Sequence, residues 1–356
     1  MKERVAILAA RRTPIGKFLG AFSDVRAVDL AIAAIRGALE DAKVAPAEIE
    51  DVILGMARQA GSGPNPARQA AVGSGIPVEV PALTVNQACA SGLQAVLLAA
   101  LRIRSGEVSL AVAGGMENMT QVPYLLPRAR RGYRLGHDTV VDAMYKDGFL
   151  CPMSNQLMGE TAETLAKRYS ISREDQDRFA ARSQNRAQAA RDADRFKDEI
   201  VPVRVRGKTG EIEVIRDEHP RDDVTWESLG ELSPVFEKTG TVTAGNSSGI
   251  TDGAAALVLA SEGFVTRRGL EPLVWVERGV TVGLEPGIMG LGPVPAVRAL
   301  EAKTERGVDA YDLIELNEAF AAQVLAVDRE LRFAPDRLNV NGGAIALGHP
   351  IGASGA

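Results

Sequence analysis

An α/β fold built from two similar halves is what this 356-residue chain predicts. Three observations carry that expectation. Short apolar runs of strand length alternate with segments of helical periodicity. A polar, proline-interrupted stretch divides two regions of this texture. The later region then repeats features of the earlier one, which favours a duplicated unit over two unrelated domains. Hydrophobic residues make up 46% of the chain and charged ones 24%, a balance that fills a substantial soluble core.

Val5 to Ala10 reads as a buried first strand. It is too short for the apolar region of a signal peptide, and Arg11-Arg12 follow at once. Thr13-Pro-Ile-Gly16 reads as a turn, after which Val28, Ile32, Ile35 and Leu39 fall on one helical face. Val52-Ile-Leu54 and Ala82 to Val85 are short strands. A helix is expected from about Cys89 to Arg104 with Leu93, Val96, Leu97 and Ala100 inward, and Ser109 to Ala113 is the next strand. Strands separated by helices imply a largely parallel sheet with helices on both faces. From roughly 120 to 245 the texture becomes polar and irregular, with Ser172-Arg-Glu-Asp175 as a helix N-cap. Gly253 to Ala260 resumes the buried strands.

The repeat fixes the organisation. Val274-Trp-Val276 reads as a new first strand, Asp312 to Leu316 echoes Asp51 to Gly55, and Asn339-Val-Asn341 echoes Thr84-Val-Asn86. The spacings from Asp51 to Cys89 and from Asp312 to His349 agree to within one residue. The expected division is 1–120 plus 245–268 for the first half, 121–244 for an inserted loop domain, and 269–356 for the second half. Counterparts of the strands at 109–113 and 254–260 are expected beyond Ala356.

Composition narrows the function. A net charge of −5 and a pI near 5.5, with aromatic residues at 4%, offer neither nucleic acid nor an anionic membrane a footprint. No apolar stretch approaches the length of a membrane span. Two cysteines argue against a disulfide framework and for a reducing, cytoplasmic setting. Three histidines and two cysteines, none at ligand spacing, give no expectation of a metal.

Two side chains stand out. Cys89 lies between a strand end and a helix N-terminus, where free N–H groups lower a thiol pKa and hold an oxyanion. The bland reading is an inert buried cysteine. His349 sits in the glycine-rich run Gly342-Gly-Ala-Ile-Ala-Leu-Gly-His-Pro-Ile-Gly352, as a base or oxyanion donor for Cys89 or as a packing histidine. Asn317 and Glu318 follow the strand at 313–316 and reach the same carboxyl edge of a sheet, or simply open a helix.

Five segments in colinear order carry a resemblance: Asn86-Gln-Ala-Cys-Ala-Ser-Gly92, Gly114-Gly-Met-Glu-Asn-Met119, Thr243-Ala-Gly-Asn-Ser-Ser-Gly249, Asn317-Glu-Ala-Phe320 and Gly342 to Gly352. Together they resemble the thiolases, the acetyl-CoA acetyltransferase and 3-ketoacyl-CoA thiolase family. The resemblance implies a duplicated βαβαβαββ layered sandwich with an inserted loop domain over CoA. It implies ping-pong acyl transfer, with acyl-CoA and CoA as substrates, no cofactor, and a homodimer or homotetramer. Cys89 would then be the acyl acceptor. His349 would activate it and, with a water held by Asn317, stabilise the thioester oxyanion. Ser248, Met158, Arg221 and Ser228 match positions that approach CoA or line the pocket.

Two departures qualify this. Leu157 stands where short-chain biosynthetic members carry histidine. The family's second catalytic cysteine lies in a Cys-x-Gly loop past His349, so a chain ending at Ala356 is expected to lack it and to be impaired. Cys151, His137 and His219 match no catalytic motif. Two other readings share the fold: an impaired or non-catalytic CoA or acyl-CoA binding protein, and a decarboxylating ketoacyl synthase, which Asn317-Glu-Ala-Phe320 disfavours. A cysteine hydrolase has no place for the repeat.

Overall fold

A computed structural model describes residues 3–207 and 210–356. Its centre is a mixed sheet that includes β1 (Val5–Arg12), β2 (Asp51–Gly55), β3 (Ala82–Val85), β4 (Leu110–Asn118), β7 (Thr251–Ser261) and β8 (Val274–Val276). The hairpin β5 (Val203–Gly207) and β6 (Gly210–Val214) lies outside that sheet. The spatial order is β8-β1-β7-β4-β2-β3, with Gly16–Lys17 paired to the start of β7.

The expectation of a largely parallel sheet is corrected here. Only β2 with β3 and β2 with β4 run parallel; β4–β7, β7–β1 and β1–β8 are antiparallel. The insertion separates β4 from β7 in sequence, so no helical crossover constrains that pair to run parallel.

The apolar runs are continuous because the sheet is covered on both faces. Val52, Leu54, Val112 and Val258 point to α1 (Ala27–Ala42) and α2 (Pro66–Gly73). The alternate residues Ile53, Ala113, Leu257 and Leu259 meet α3 (Ser91–Ser105). The inward stripe of α3 is Ala95, Val96, Ala99, Ala100 and Ile103, whereas Leu93, expected inward, is 50% exposed. Alanines let the helix lie close to the sheet, and the wide leucine turns outward.

The insertion contributes α4 (Met158–Arg168), α5 (Arg173–Asp192) and α6 (Trp226–Gly230). After α7 (Glu262–Arg268), the second half contributes α8 (Pro293–Thr304), α9 (Ala321–Leu331) and α10 (Ala344–Leu347). Leu165 and Phe179 from the insertion share a core with Val324, Val327 and Ile345. Ser172 caps α5 through Asp175, as its sequence foretells.

The second half departs from the strands its sequence predicts. Val274 to Val276 forms a strand, but on the edge of the first sheet against β1. Asp312 to Leu316 makes one isolated parallel bridge, Ile314 with Leu338, and 339–341 is a turn. In the first half β2 is flanked by β3 and β4. Among the described residues, nothing occupies the β4 position beside Ile314, and an isolated pair of segments is only marginally stable without a third.

A seam of glycines joins the halves. A Cβ on Gly115 would overlap the Gly352 carbonyl, and one on Gly55 would meet both Ser91 and Gly352. Backbone therefore lies on backbone there, which only glycine permits. Gly115→Ala is expected to destabilise the protein by about 3 kcal/mol through overpacking, read as a lower urea midpoint.

Candidate active site

The carboxyl ends of the parallel strands β2, β3 and β4 converge on one edge, where open α/β sheets place their sites. Cys89 follows β3 in a tight turn before α3. Ala88 there has φ of +48°, a conformation unfavourable for a residue with a Cβ. The Ala88 carbonyl accepts from the Ser91 hydroxyl at 2.7 Å, and that hydroxyl accepts from the Gln87 N–H at 2.8 Å. The turn is thus fixed independently of Cys89, leaving the thiol free. Burial pushes the Cys89 thiol above its ordinary pKa, while the charge of Arg58 and the backbone oppose that shift. The lowering expected from the helix end does not prevail, so the resting sulfur is a thiol that needs a base.

His349 is the candidate for that base. The seam lays Ala353 to Ala356 against Gly92 and Leu93 at the start of α3, and Ile351 packs beside Cys89. His349 is 5% exposed, and burial, with the charge of Arg58, lowers its pKa from 6.5 to about 4. The ring is neutral at pH 7. Its Nδ1 lies 2.7 Å from the Ser354 hydroxyl, which itself donates to the Pro350 carbonyl at 3.1 Å. That arrangement assigns the proton to Nδ1 and leaves Nε2 as the acceptor. The Asn317 amide stands 3.3 Å from Nε2.

Two buried carboxylates frame this pair. Glu117, at the end of β4, accepts from the N–H groups of Ala57, Arg58 and Gly352. It ties the loop after β2 to the His349 loop. Glu318 accepts from the Ser183 hydroxyl, the Asn339 amide and the Ile345 N–H, tying Asn317 to the glycine-rich run. Glu117→Ala would leave three buried N–H groups unpaired. Its expected cost is roughly 3 kcal/mol or more, read as a lower thermal midpoint with loss of activity.

Ser248 belongs to the same edge. Its N–H donates to the Ala319 carbonyl at 3.0 Å, and the neighbouring Gly249 carbonyl accepts from the His349 N–H at 3.2 Å. Met158, at the start of α4, packs with Ala319 and Phe320, just past Asn317. Arg221 and Ser228 lie farther out and are exposed. The Ser228 hydroxyl donates to the Thr225 carbonyl within the cap of α6, and the Arg221 N–H donates to the Gln184 side chain. Cys151 sits in a short hairpin against Gln156 and Leu157.

Ser354, Glu117 and Arg58 escaped the sequence reading as individual functional residues. Glu117 lay inside a recognised motif, and a buried carboxylate in a glycine-rich strand was the signal for it. His219 also belongs to the surroundings, since its Nδ1 lies 2.8 Å from the Ala346 carbonyl and its ring lies against Gly249. Among the described residues no group of three or more metal-ligating side chains forms, and no helix is long and apolar enough to cross a membrane.

The family models for the N-terminal and C-terminal thiolase domains match residues 5–263 and 270–356. The chain belongs to the thiolase family. This thiolase is 49% identical over 354 residues to a probable acetyl-CoA acyltransferase of Staphylococcus aureus, covering 99% of this chain and 90% of that one. An acetyl-CoA acetyltransferase of Pseudomonas aeruginosa gives the same identity and coverage. Among solved structures, the Bacillus anthracis acetyl-CoA acetyltransferase superposes with a TM-score of 0.97 at 43% identity, over 99% of this chain and 90% of its own. Human mitochondrial 3-ketoacyl-CoA thiolase gives 0.95 at 42%, over 99% and 89%. The thiolase's layered α/β architecture is that of these neighbours.

Proposed function

We propose that this thiolase transfers acyl groups between CoA thioesters through an acyl-Cys89 intermediate, as an acyl-CoA:acetyl-CoA C-acyltransferase. The observation that carries the mechanism is the neutral His349 imidazole, with Nε2 unprotonated, on the loop packed against the Cys89 turn. His349 takes the Cys89 proton as the sulfur attacks the thioester carbonyl. The carbon–sulfur bond to CoA breaks, and the departing CoA thiolate recovers the proton. The carbon–sulfur bond to Cys89 then breaks as the acyl group passes to the CoA thiol, or to the α-carbon of acetyl-CoA, and the proton that the acceptor loses ends on the released Cys89 sulfur.

Asn317 orients the His349 ring and a water at the oxyanion. Ser248 and Met158 line the thioester's path on the inner side, and Arg221 and Ser228 meet its nucleotide end. The exposure of the last two supports that outer role, because a nucleotide phosphate is bound where solvent reaches it. The protein works in the cytoplasm without metal or redox cofactor. It assembles as a homodimer or homotetramer, a reading supported by the edge strand β3, whose Leu83 is open to solvent.

Peptide mass mapping after incubation with acetyl-CoA tests the proposal. An acetyl group on the Cys89 peptide, removed by added CoA, is the expected result. Acetylation elsewhere, or none, overturns it.

A further inference from the structure

Among the described residues, Arg58 is a buried cation that forms no salt bridge. It follows the end of β2, it is 8% exposed, and its Nε has no hydrogen-bond partner. Its Nη1 reaches only the adjacent Ala57 carbonyl, at 3.4 Å. Among the described residues no carboxylate pairs with the guanidinium. Glu117, the acidic group beside it, is saturated by three backbone N–H groups. A guanidinium withdrawn from water and left unpaired is costly.

Its surroundings say what kind of ligand. The guanidinium packs against Gly148, where a Cβ would overlap it, within the π-helical turn Tyr145–Phe149. Such turns gather at functional sites. Phe149 and Ala57, which flank these contacts in sequence, pack with Met119, Met144, Ile351 and Cys89 in one apolar cluster. The wall around the nucleophile is therefore largely apolar, with the Arg58 cation and the backbone-bonded Glu117 set into it. The influence of that charge on both Cys89 and His349 agrees with this placement.

We infer that Arg58 is a specificity-determining residue and that this thiolase prefers acyl groups ending in a carboxylate, which the guanidinium pairs within the pocket. This rests on the acyl-transfer reading above. The acyl chain enters as its thioester carbon bonds to Cys89 and CoA leaves, and its far carboxylate displaces no protein partner from Arg58. A planar guanidinium suits a carboxylate better than a point charge would.

The test measures acylation of Cys89 by two pairs of thioesters matched in length, succinyl-CoA against butyryl-CoA and adipyl-CoA against hexanoyl-CoA. The two pairs bracket the reach of the pocket. Wild type is expected to favour the carboxylate member of at least one pair. Arg58→Leu should lower that ratio roughly 10- to 100-fold, the range for a charged hydrogen bond, and Arg58→Lys should restore part of it. Circular dichroism confirms that each variant is folded, and Arg58→Gln stands in if leucine is not tolerated.

Equal wild-type rates within both pairs, or a preference for the apolar members, overturn the inference while acyl transfer stands. A ratio unchanged in Arg58→Leu, with both members slowed alike, also overturns it and makes Arg58 a modulator of Cys89 alone. If no thioester acylates wild-type Cys89, the acyl-transfer reading falls and this inference falls with it.

Discussion

Cys89→Ser should abolish the covalent step, with no acyl adduct on the peptide and thiolysis of acetoacetyl-CoA reduced by about 10⁴-fold or more. The hydroxyl fits the same turn, because the turn is held by Ser91, Ala88 and Gln87 and not by the sulfur. What changes is chemistry. A serine hydroxyl is far less acidic than even a thiol whose pKa burial has raised, and His349, neutral with a pKa of about 4, is too weak a base to ionise it. CoA binding to the variant, measured by calorimetry, should be unchanged. An adduct formed at the wild-type rate would show that another group accepts the acyl chain.

His349→Ala is the second large effect, an expected loss of about 10³-fold in acylation, since proton removal from Cys89 then falls to water. Iodoacetamide labelling of Cys89 at neutral pH should slow with it. The same residue couples stability to pH. Its pKa falls from an ordinary 6.5 to about 4 in the folded protein, so the unfolded chain takes up the proton first. The stabilisation is complete above pH 6.5, is lost as pH falls from there towards 4, and is constant below. Over that window it amounts to roughly 3 kcal/mol. In denaturant titrations, wild type should lose about 2 to 3 kcal/mol more stability than His349→Asn between pH 7 and pH 4.5. Parallel behaviour would place the acid sensitivity elsewhere.

Much of this was legible before any coordinates. Val52-Ile-Leu54 and Leu257 to Leu259 announce strands covered on both faces, because wholly apolar short runs have no solvent side. Cys89 at a strand-to-helix turn and His349 in its glycine-rich run were visible as chemistry, and the five motifs named the family. The direction of β7 and β8 was not visible, since a buried strand reads the same in either sense. Nor was the state of the thiol. Its pKa balances burial against the backbone and the charge of Arg58, and sequence carries no distance between Cys89 and Arg58. Asp312 to Leu316 shows the opposite failure, a strand-like sequence that forms one bridge because strand formation depends on neighbours.

The glycine seam through Gly55, Gly115 and Gly352 has a practical consequence for altering this protein. Where backbone meets backbone there are no side chains to exchange, so the side of the pocket that carries Cys89 and His349 offers an engineer almost no adjustable positions. The opposite side carries Met144 and Phe149 of the insertion, whose side chains can be exchanged without disturbing a backbone-on-backbone contact. Redirecting the chain towards new acyl groups is therefore a problem with one movable wall, and a library confined to that wall and Arg58 would search most of what the pocket can become.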